Sequence, residues 1–314
     1  MNYRYIFGPV RSRRLGLSLG IDLLGDRICS FDCLYCECGP TKQCTAERRP
    51  YAPAGQILEE LRCWLERERY SLDHITLGGL GEPCLNSDLG RIVAGVRELA
   101  PSTPVAVLTN ASLLPLPEVR RELSGCDAVL PSLDTLVPEE FLRLNRPSEP
   151  TDPEAVAGSL LEFASGFDGS LSLEILLVRE VNDSDENLER LRDFCGRLRP
   201  NRLDIVTMTR PGAHEGARPV SMQTLRRWQG SLRGAGSGVR EKRDYAPRVT
   251  HAGDAVRSLV LGSLKRRPQS VQQLSRSLGA DTEIVSRAVQ DLLRRNRIVT
   301  LDLEGETFYR SMEE

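Results

Sequence analysis

From about residue 15 the chain alternates short apolar runs with amphipathic stretches. Leu15–Leu24 predicts a first strand, with a cysteine-rich loop after it. Gly55–Arg69 carries Ile57, Leu58, Leu61, Trp64 and Leu65 at helical spacing. Ile75–Leu77 predicts a second strand that ends in a glycine-rich turn. Leu89–Leu99 predicts a helix, Val105–Thr109 a strand, Pro117–Leu123 a helix and Ala128–Leu133 a strand. Glu154–Ala164 predicts a helix, and Leu171–Val178 a strand. Asn187–Arg197 then reads as helix and Leu203–Met208 as strand. About six strand–helix units with apolar strands predict a parallel sheet covered by helices. Ligands of such a sheet gather at the C-terminal ends of its strands.

A glycine-rich break, Gly230–Gly238, interrupts this pattern and reads as a linker. Beyond it Ala255–Leu264 is helical, and Ser270 with Gln273 forms a capping box that opens Val271–Leu278. Gly279 ends that helix. Asp281 and Thr282 cap a third, with Ile284, Val285, Ala288, Val289, Leu292 and Leu293 on its apolar face. Ile298–Leu303 and Thr307–Arg310 flank Glu304-Gly305-Glu306 as a hairpin. Three helices and a hairpin are the pattern of a winged helix. The predicted organisation is residues 1–229, a linker over 230–250, and a small C-terminal unit over 251–314.

Composition adds limits. The length of 314 residues suits one large domain plus a small one. Net charge is −2, so there is no global signal for polyanion binding. No run of about 18 apolar residues predicts a membrane-spanning helix. Met1–Tyr5 lacks the apolar core of a signal peptide, which predicts a cytoplasmic protein. Of nine cysteines, five fall between Cys29 and Cys44, and in a reducing compartment such clustering points to metal rather than disulfides.

Cys29, Cys33 and Cys36 follow the spacing C-x3-C-x2-C. Three thiolates on one loop can hold three corners of an iron–sulfur cluster, and no fourth ligand follows at ferredoxin spacing. Such a cluster keeps one iron open to a small molecule. Structural zinc sites instead favour paired C-x2-C units and a fourth ligand. Cys38 and Cys44 are too few for a second site and read as spare thiols. Gly78-Gly79-Leu80-Gly81-Glu82-Pro83 ends the second strand, where glycines let backbone approach a ligand. Thr109-Asn110 ends the next strand and Ser132-Leu133-Asp134 the one after; a serine or acid there serves equally as a helix cap. Glu174 puts a charge into an apolar strand, facing either the barrel interior or the outer edge. Arg210, before Pro211, either holds an anionic substrate group or forms a surface ion pair. Arg11, Arg13 and Arg14 read as a solvated charge run or as an anion clamp. His74, His214 and His251 have no ligand spacing among them.

The triplet, with aromatic Tyr35 just before its last cysteine, resembles the signature of the radical S-adenosylmethionine (radical SAM) superfamily. The opening Phe7-Gly8-Pro9-Val10-Arg11-Ser12-Arg13-Arg14-Leu15-Gly16 is similar to a subgroup labelled wyosine-synthase-like Fe–S oxidoreductases. The resemblance covers about residues 5–215 and implies a partial (β/α)6 TIM-like barrel. It implies a 4Fe–4S cluster on Cys29, Cys33 and Cys36, with SAM on the open iron. It implies SAM contacts from Gly79, Gly81, Glu82, Pro83, Asn110, Ser132, Asp134, Glu174, Leu177 and Asn182. A Val181-Asn182-Asp183-Ser184 turn would close the site. Asp134, Glu174 and Arg210 are the candidate catalytic residues.

The expected enzyme takes one electron from a flavodoxin or ferredoxin and cleaves SAM reductively. The radical so formed takes hydrogen from a peptide or protein, a tRNA base or a metabolite. The winged helix would contact peptide, protein or tRNA, or form a dimer, and no membrane is expected. Over 251–314 ten Lys/Arg face nine Asp/Glu, a weak basic signal for nucleic acid. The alternative is an iron–sulfur redox sensor that binds DNA through the winged helix.

Overall fold

A computed structural model describes residues 3–12, 14–68, 70–233 and 253–312. Arg13, His251 and most of the expected linker lie outside the described residues. The elements run β1 (Ile6–Ser12), β2 (Gly16–Ile21), β3 (Ile28–Cys29), β4 (Gln43–Cys44), α1 (Ala54–Arg67) and β5 (His74–Leu77). They continue α2 (Leu89–Leu99), β6 (Val105–Thr109), α3 (Pro117–Leu123), β7 (Ala128–Pro131), α4 (Pro138–Asn145) and α5 (Pro153–Ser165). Next come β8 (Ser170–Leu177), α6 (Asp185–Leu198), β9 (Arg202–Thr207) and α7 (Met222–Ser231). The last are α8 (Gly253–Arg266), α9 (Val271–Leu278), α10 (Thr282–Arg294), β10 (Ile298–Leu303) and β11 (Glu306–Ser311).

The main sheet has seven strands in the order β1-β2-β5-β6-β7-β8-β9 and curls into a half-barrel. β1 and β2 are antiparallel; every later pairing, from β2–β5 to β8–β9, is parallel. Six parallel strands in sequence order are the (β/α)6 arrangement that strand–helix alternation predicts. Helices of the half-barrel lay apolar stripes on the sheet: Ile57, Leu61 and Trp64 of α1, and Leu188, Leu191 and Phe194 of α6, are buried in its core. The strands supply the other half of that core through Leu19, Ile75, Val107, Val129, Leu173 and Ile175.

β1 precedes Leu15–Leu24, the first strand that the sequence predicts, and adds an edge strand to the sheet. Pro9 removes a ladder donor, but β1 sits on the sheet edge, where proline is tolerated. Two helices also go beyond the expected elements. α4 begins at Pro138 with acidic Glu139 and Glu140 in its first turn. α7 begins after Ser221, whose side chain accepts from the Thr224 N–H.

Residues 253–312 form three helices and the antiparallel hairpin β10–β11, with their own apolar cluster of Val256, Val260, Leu264, Leu274, Val285, Val289 and Ile298. Ser270 accepts from the Gln273 N–H, as the capping box requires. This C-terminal unit rests on the half-barrel through arginine contacts at the open end of the sheet. Arg266 lies 3.7 Å over the Phe7 ring of β1, and Gln273 bonds both Arg210 and the Thr209 carbonyl. Among the described residues no helix is long and apolar enough to cross a membrane.

Candidate cluster and cofactor site

The cysteine loop leaves β2 at Asp22. That carboxylate is buried and accepts from the N–H groups of Leu24 and Gly25 at 3.0 and 3.3 Å, which turns the chain away from the strand. Burial pushes its pKa up, and the same hydrogen bonds pull it back. Cys29 ends β3; Cys33 and Cys36 follow in a turn closed by the Cys36 N–H on the Cys33 carbonyl. As residues all three are half-buried, and burial pushes the Cys29 and Cys33 thiols up.

Side chains from elsewhere in the fold reach two of these sulfurs. The Asn110 amide, at the end of β6, donates to Cys29 Sγ at 3.5 Å, and the Asn145 amide, at the end of α4, donates to Cys33 Sγ at 3.4 Å. Cys36 shares a side-chain hydrogen bond with Cys38, which holds the Cys36 thiol below its ordinary range. Cys38 is therefore adjacent to the triplet rather than remote from it. Cys44 is exposed. Among the described residues no three His, Cys, Asp or Glu side chains converge closely enough to hold a single metal ion. Three separated soft donors on one loop, without a fourth protein ligand, suit a wider iron–sulfur cluster better than mononuclear zinc. Asn145 Oδ1, on the side chain that reaches Cys33, is buried without a hydrogen-bond partner.

The loop after β5 lies directly on the cysteine loop: the Glu82 N–H donates to the Ile28 carbonyl. Glu82 is 2% exposed. Its carboxylate accepts from Asn110 N at 2.6 Å, Thr109 Oγ1 at 2.7 Å and Cys84 N at 3.0 Å. Burial raises its pKa; the bonds from Asn110, Thr109 and Cys84 offset part of that rise. Glu82 thus fixes the end of β6 to the Gly-Glu-Pro loop and frees the Asn110 side chain for Cys29. Pro83 and Cys84 open a short 3-10 turn behind it. Glu82→Gln would turn an amide NH2 toward one of three buried donors. We expect a loss of about 1–3 kcal/mol in urea unfolding; a change under about 0.5 kcal/mol would overturn this assignment.

At the end of β7, Asp134 is buried, accepts from the Leu176 N–H at 2.8 Å and is hydrogen-bonded by the Tyr35 hydroxyl. Burial pushes its pKa up to about 6, and the Tyr35 and Leu176 bonds limit the rise. Asp134 therefore ties the cysteine loop to β8 rather than capping a helix. Ser132 pairs with Glu174 in a parallel bridge. Glu174 faces the barrel interior, ion-paired with Arg14 at 2.6 Å. Burial raises its pKa while Arg14 pulls it down. Leu177, at the end of β8, is fully buried. Asn182 closes the Val-Asn-Asp-Ser turn: it accepts from the Val178 N–H, and its amide hydrogens go to the Asp134 and Leu176 carbonyls. Both of its donors are thereby spent on backbone. Arg210 grips both carboxylate oxygens of Glu37 at 2.8 Å. His214 sits 2.9 Å from Asp32, and His74 2.9 Å from the Leu15 carbonyl; both hold loops.

Cys29, Cys33 and Cys36 thus face the same end of the sheet as Glu82, Asn110, Asp134 and Glu174. Pattern reading missed Asn145, Asp22, Glu37, Arg266 and Arg267. Only Glu37, between Cys36 and Cys38, carried a local signal. The others arrive from distant segments and leave none.

The sequence model of the radical SAM superfamily matches residues 26–192, the span from the cysteine loop through α6. The chain belongs to the radical SAM superfamily. It is 36% identical over 207 residues to a UPF0026 protein of Synechocystis sp., covering 66% of this chain and 76% of that one. It is 29% identical over 299 residues to a Brachyspira hyodysenteriae protein named GTPase Obg, covering 93% of this chain but 43% of that one. Among solved structures, Streptococcus suis SuiB bound to the precursor peptide SuiA superposes with a TM-score of 0.51 at 17% identity. That match covers 68% of this chain and 45% of SuiB. This chain therefore spans less than half the length of the Brachyspira protein and of SuiB, and the SuiB likeness speaks for the fold alone. Membership in the superfamily supports an enzyme, and one that uses SAM.

Proposed function

We propose that the radical SAM chemistry runs on a 4Fe–4S cluster held by Cys29, Cys33 and Cys36, with SAM at the open iron. When bound, this pair supplies a 5′-deoxyadenosyl radical, given one electron from a flavodoxin or ferredoxin. The carrying observation is the convergence of the three thiols with Glu82, Asn110 and Asp134 at the ends of successive parallel strands.

The chain's own residues bind and orient. The Gly79–Gly81 backbone, pinned by Glu82, would meet the SAM amino group, which would take over the Gly79 carbonyl from Cys38. Asn110, Ser132, Asp134 and Glu174 stand at the strand ends where the methionyl, ribose and adenine portions would fit, whereas the Leu177 side chain belongs to the helix-covered core and leaves only its backbone for a contact. Asn182 braces that wall from behind. Arg14 ion-pairs with Glu174 and opposes the upward pull of burial on that carboxyl. The substrate class is a peptide or protein, a tRNA base or a metabolite. The GTPase name of the Brachyspira relative does not carry over: this chain has no Gly-Lys dipeptide, and so no G-x-x-x-x-G-K-[ST] phosphate loop.

A DNA-binding sensor built on a winged helix fits less well. Over residues 251–314 ten Lys/Arg face nine Asp/Glu, so this unit carries no strong net positive charge for a duplex. The test is anaerobic reconstitution, dithionite reduction with SAM, and mass spectrometry of 5′-deoxyadenosine. Product supports the enzyme. A fully loaded cluster with no product under dithionite or a flavodoxin system, together with specific duplex binding, would transfer the case to the sensor.

Hydrogen bonds to cluster sulfurs raise a reduction potential. Asn145→Ala removes the donor to Cys33, so its cluster should titrate at a more negative potential in EPR-monitored reduction, with iron content retained. An unchanged potential would reduce Asn145 to a packing residue.

A further inference from the structure

Arginines from both parts of the molecule crowd the open end of the half-barrel. Arg14 pairs with Glu174 at 2.6 Å. Arg266, at the end of α8, reaches Asp22 at 3.5 Å, yet its Nη1 is buried without a hydrogen bond. Arg210 takes both oxygens of Glu37 at 2.8 Å. Arg267 stands 3.6 Å from the same carboxylate, too far to hydrogen-bond it. Burial lowers the pKa of Arg267, the Glu37 carboxylate pulls it back up, and the charges of Arg210 and Arg14 lower it further. Four guanidinium groups thus share three carboxylates, Glu174, Asp22 and Glu37. Arg267 keeps 39% side-chain exposure and, among the described residues, has no carboxylate within hydrogen-bond distance, so its guanidinium is the one with capacity for a further anion.

Glu37 is the replaceable carboxylate of the three. Asp22 is 1% exposed and bound into its own loop. Glu37 retains 32% side-chain exposure, follows Cys36 directly, and is held through its side chain alone. Gln273 bridges the Arg210 Nε and the Thr209 carbonyl at 2.7 and 3.0 Å, so it fixes the guanidinium that holds Glu37.

We propose that Arg210 and Arg267 form a subsite for an anionic group of the substrate, a carboxylate or a phosphate, and that Glu37 occupies it until the substrate arrives. That the bound anion belongs to a substrate rests on the radical SAM reading; that the subsite binds an anion does not. The guanidinium fork matches either group through paired N–H bonds. Arg210 comes from the half-barrel and Arg267 from the C-terminal unit. The subsite therefore gives that unit a role in substrate binding and exists only when the two are together.

The test is calorimetric titration of the reconstituted protein with inorganic phosphate and, separately, acetate, without SAM or reductant. Glu37→Gln should strengthen anion binding about tenfold by removing the internal competitor. In the Glu37→Gln background, Arg267→Ala and Arg210→Ala should each weaken binding about tenfold, with iron content unchanged, and Arg267→Lys should fall between. A phosphate preference names a phosphate-bearing substrate, an acetate preference a carboxylate. Glu37→Gln with unchanged affinity, or Arg267→Ala binding as tightly as its parent, overturns the subsite. Anion binding without deoxyadenosine formation would sink the radical reading and leave the subsite standing; the reverse result would do the opposite.

Discussion

Cys29→Ala should abolish iron–sulfur loading and 5′-deoxyadenosine formation together, while the fold survives. Two thiolates cannot replace three: with no fourth protein ligand nearby, loss of one leaves two irons of a cubane open. Nothing on the loop compensates. Cys44, though paired in register with Cys29 through β3–β4, is exposed, and Cys38 points to Cys36 and the Gly79 carbonyl. The fold should tolerate the change because Cys29 lies outside the apolar clusters that hold the sheet and helices. Removing one sulfur from this half-buried loop residue should cost about 1 kcal/mol. Cys44→Ala is the matched control and should load iron as the parent does. Iron per chain and the visible absorbance of the cluster read the first effect; mass spectrometry of the nucleoside reads the second. A Cys29→Ala protein that holds a full cluster, or a Cys44→Ala protein that does not, would show that the ligand set has been misassigned.

The parallel strands were legible in sequence because each is a short apolar run between amphipathic helices. Leu89–Leu99, Pro117–Leu123 and Val271–Leu278 fall on the predicted residues. β1 was not legible: Pro9 and the arginines break its alternation, and its partner β2 supplies the pairing. α4 was short and followed a strand end already read for its acid. The site divides the same way. The cysteines and Gly-Glu-Pro are local patterns and stand out. Asn145 reaches Cys33 from 112 positions away, and Arg267 reaches Glu37 from the far side of the linker. Such contacts are made by the fold, and a single sequence holds no mark of them. Arg210 read equally as a surface ion pair or an anion holder. It forms an ion pair, and its geometry is that of an anion holder.

Gly81→Ala should damage both stability and SAM binding. The backbone at Gly81 is of a kind alanine can adopt, so the penalty comes from space. An alanine Cβ there would lie 1.7 Å from the Ile28 carbonyl oxygen and 2.8 Å from Leu24 Cδ1. The Ile28 oxygen is backbone, already accepts from the Glu82 N–H, and precedes Cys29 directly. No flexible group can give way, so the Gly-Glu-Pro loop and the cysteine loop must separate. The strain then reaches Glu82, whose three donors depend on that spacing, and Cys29. We expect a loss of about 3 kcal/mol in urea unfolding. Displacement of the cofactor loops by about an ångström should slow SAM cleavage about a hundredfold. Gly55→Ala is the control. Gly55 sits in the first turn of α1 with nothing within 4 Å of an added Cβ, and alanine there should stabilise by about 0.5–1 kcal/mol. Urea midpoints and equilibrium SAM binding would separate the two. A Gly81→Ala protein as stable as the parent, with unchanged SAM affinity, would mean that the two loops are not pressed together and that the Gly-Glu-Pro backbone does not form the cofactor wall.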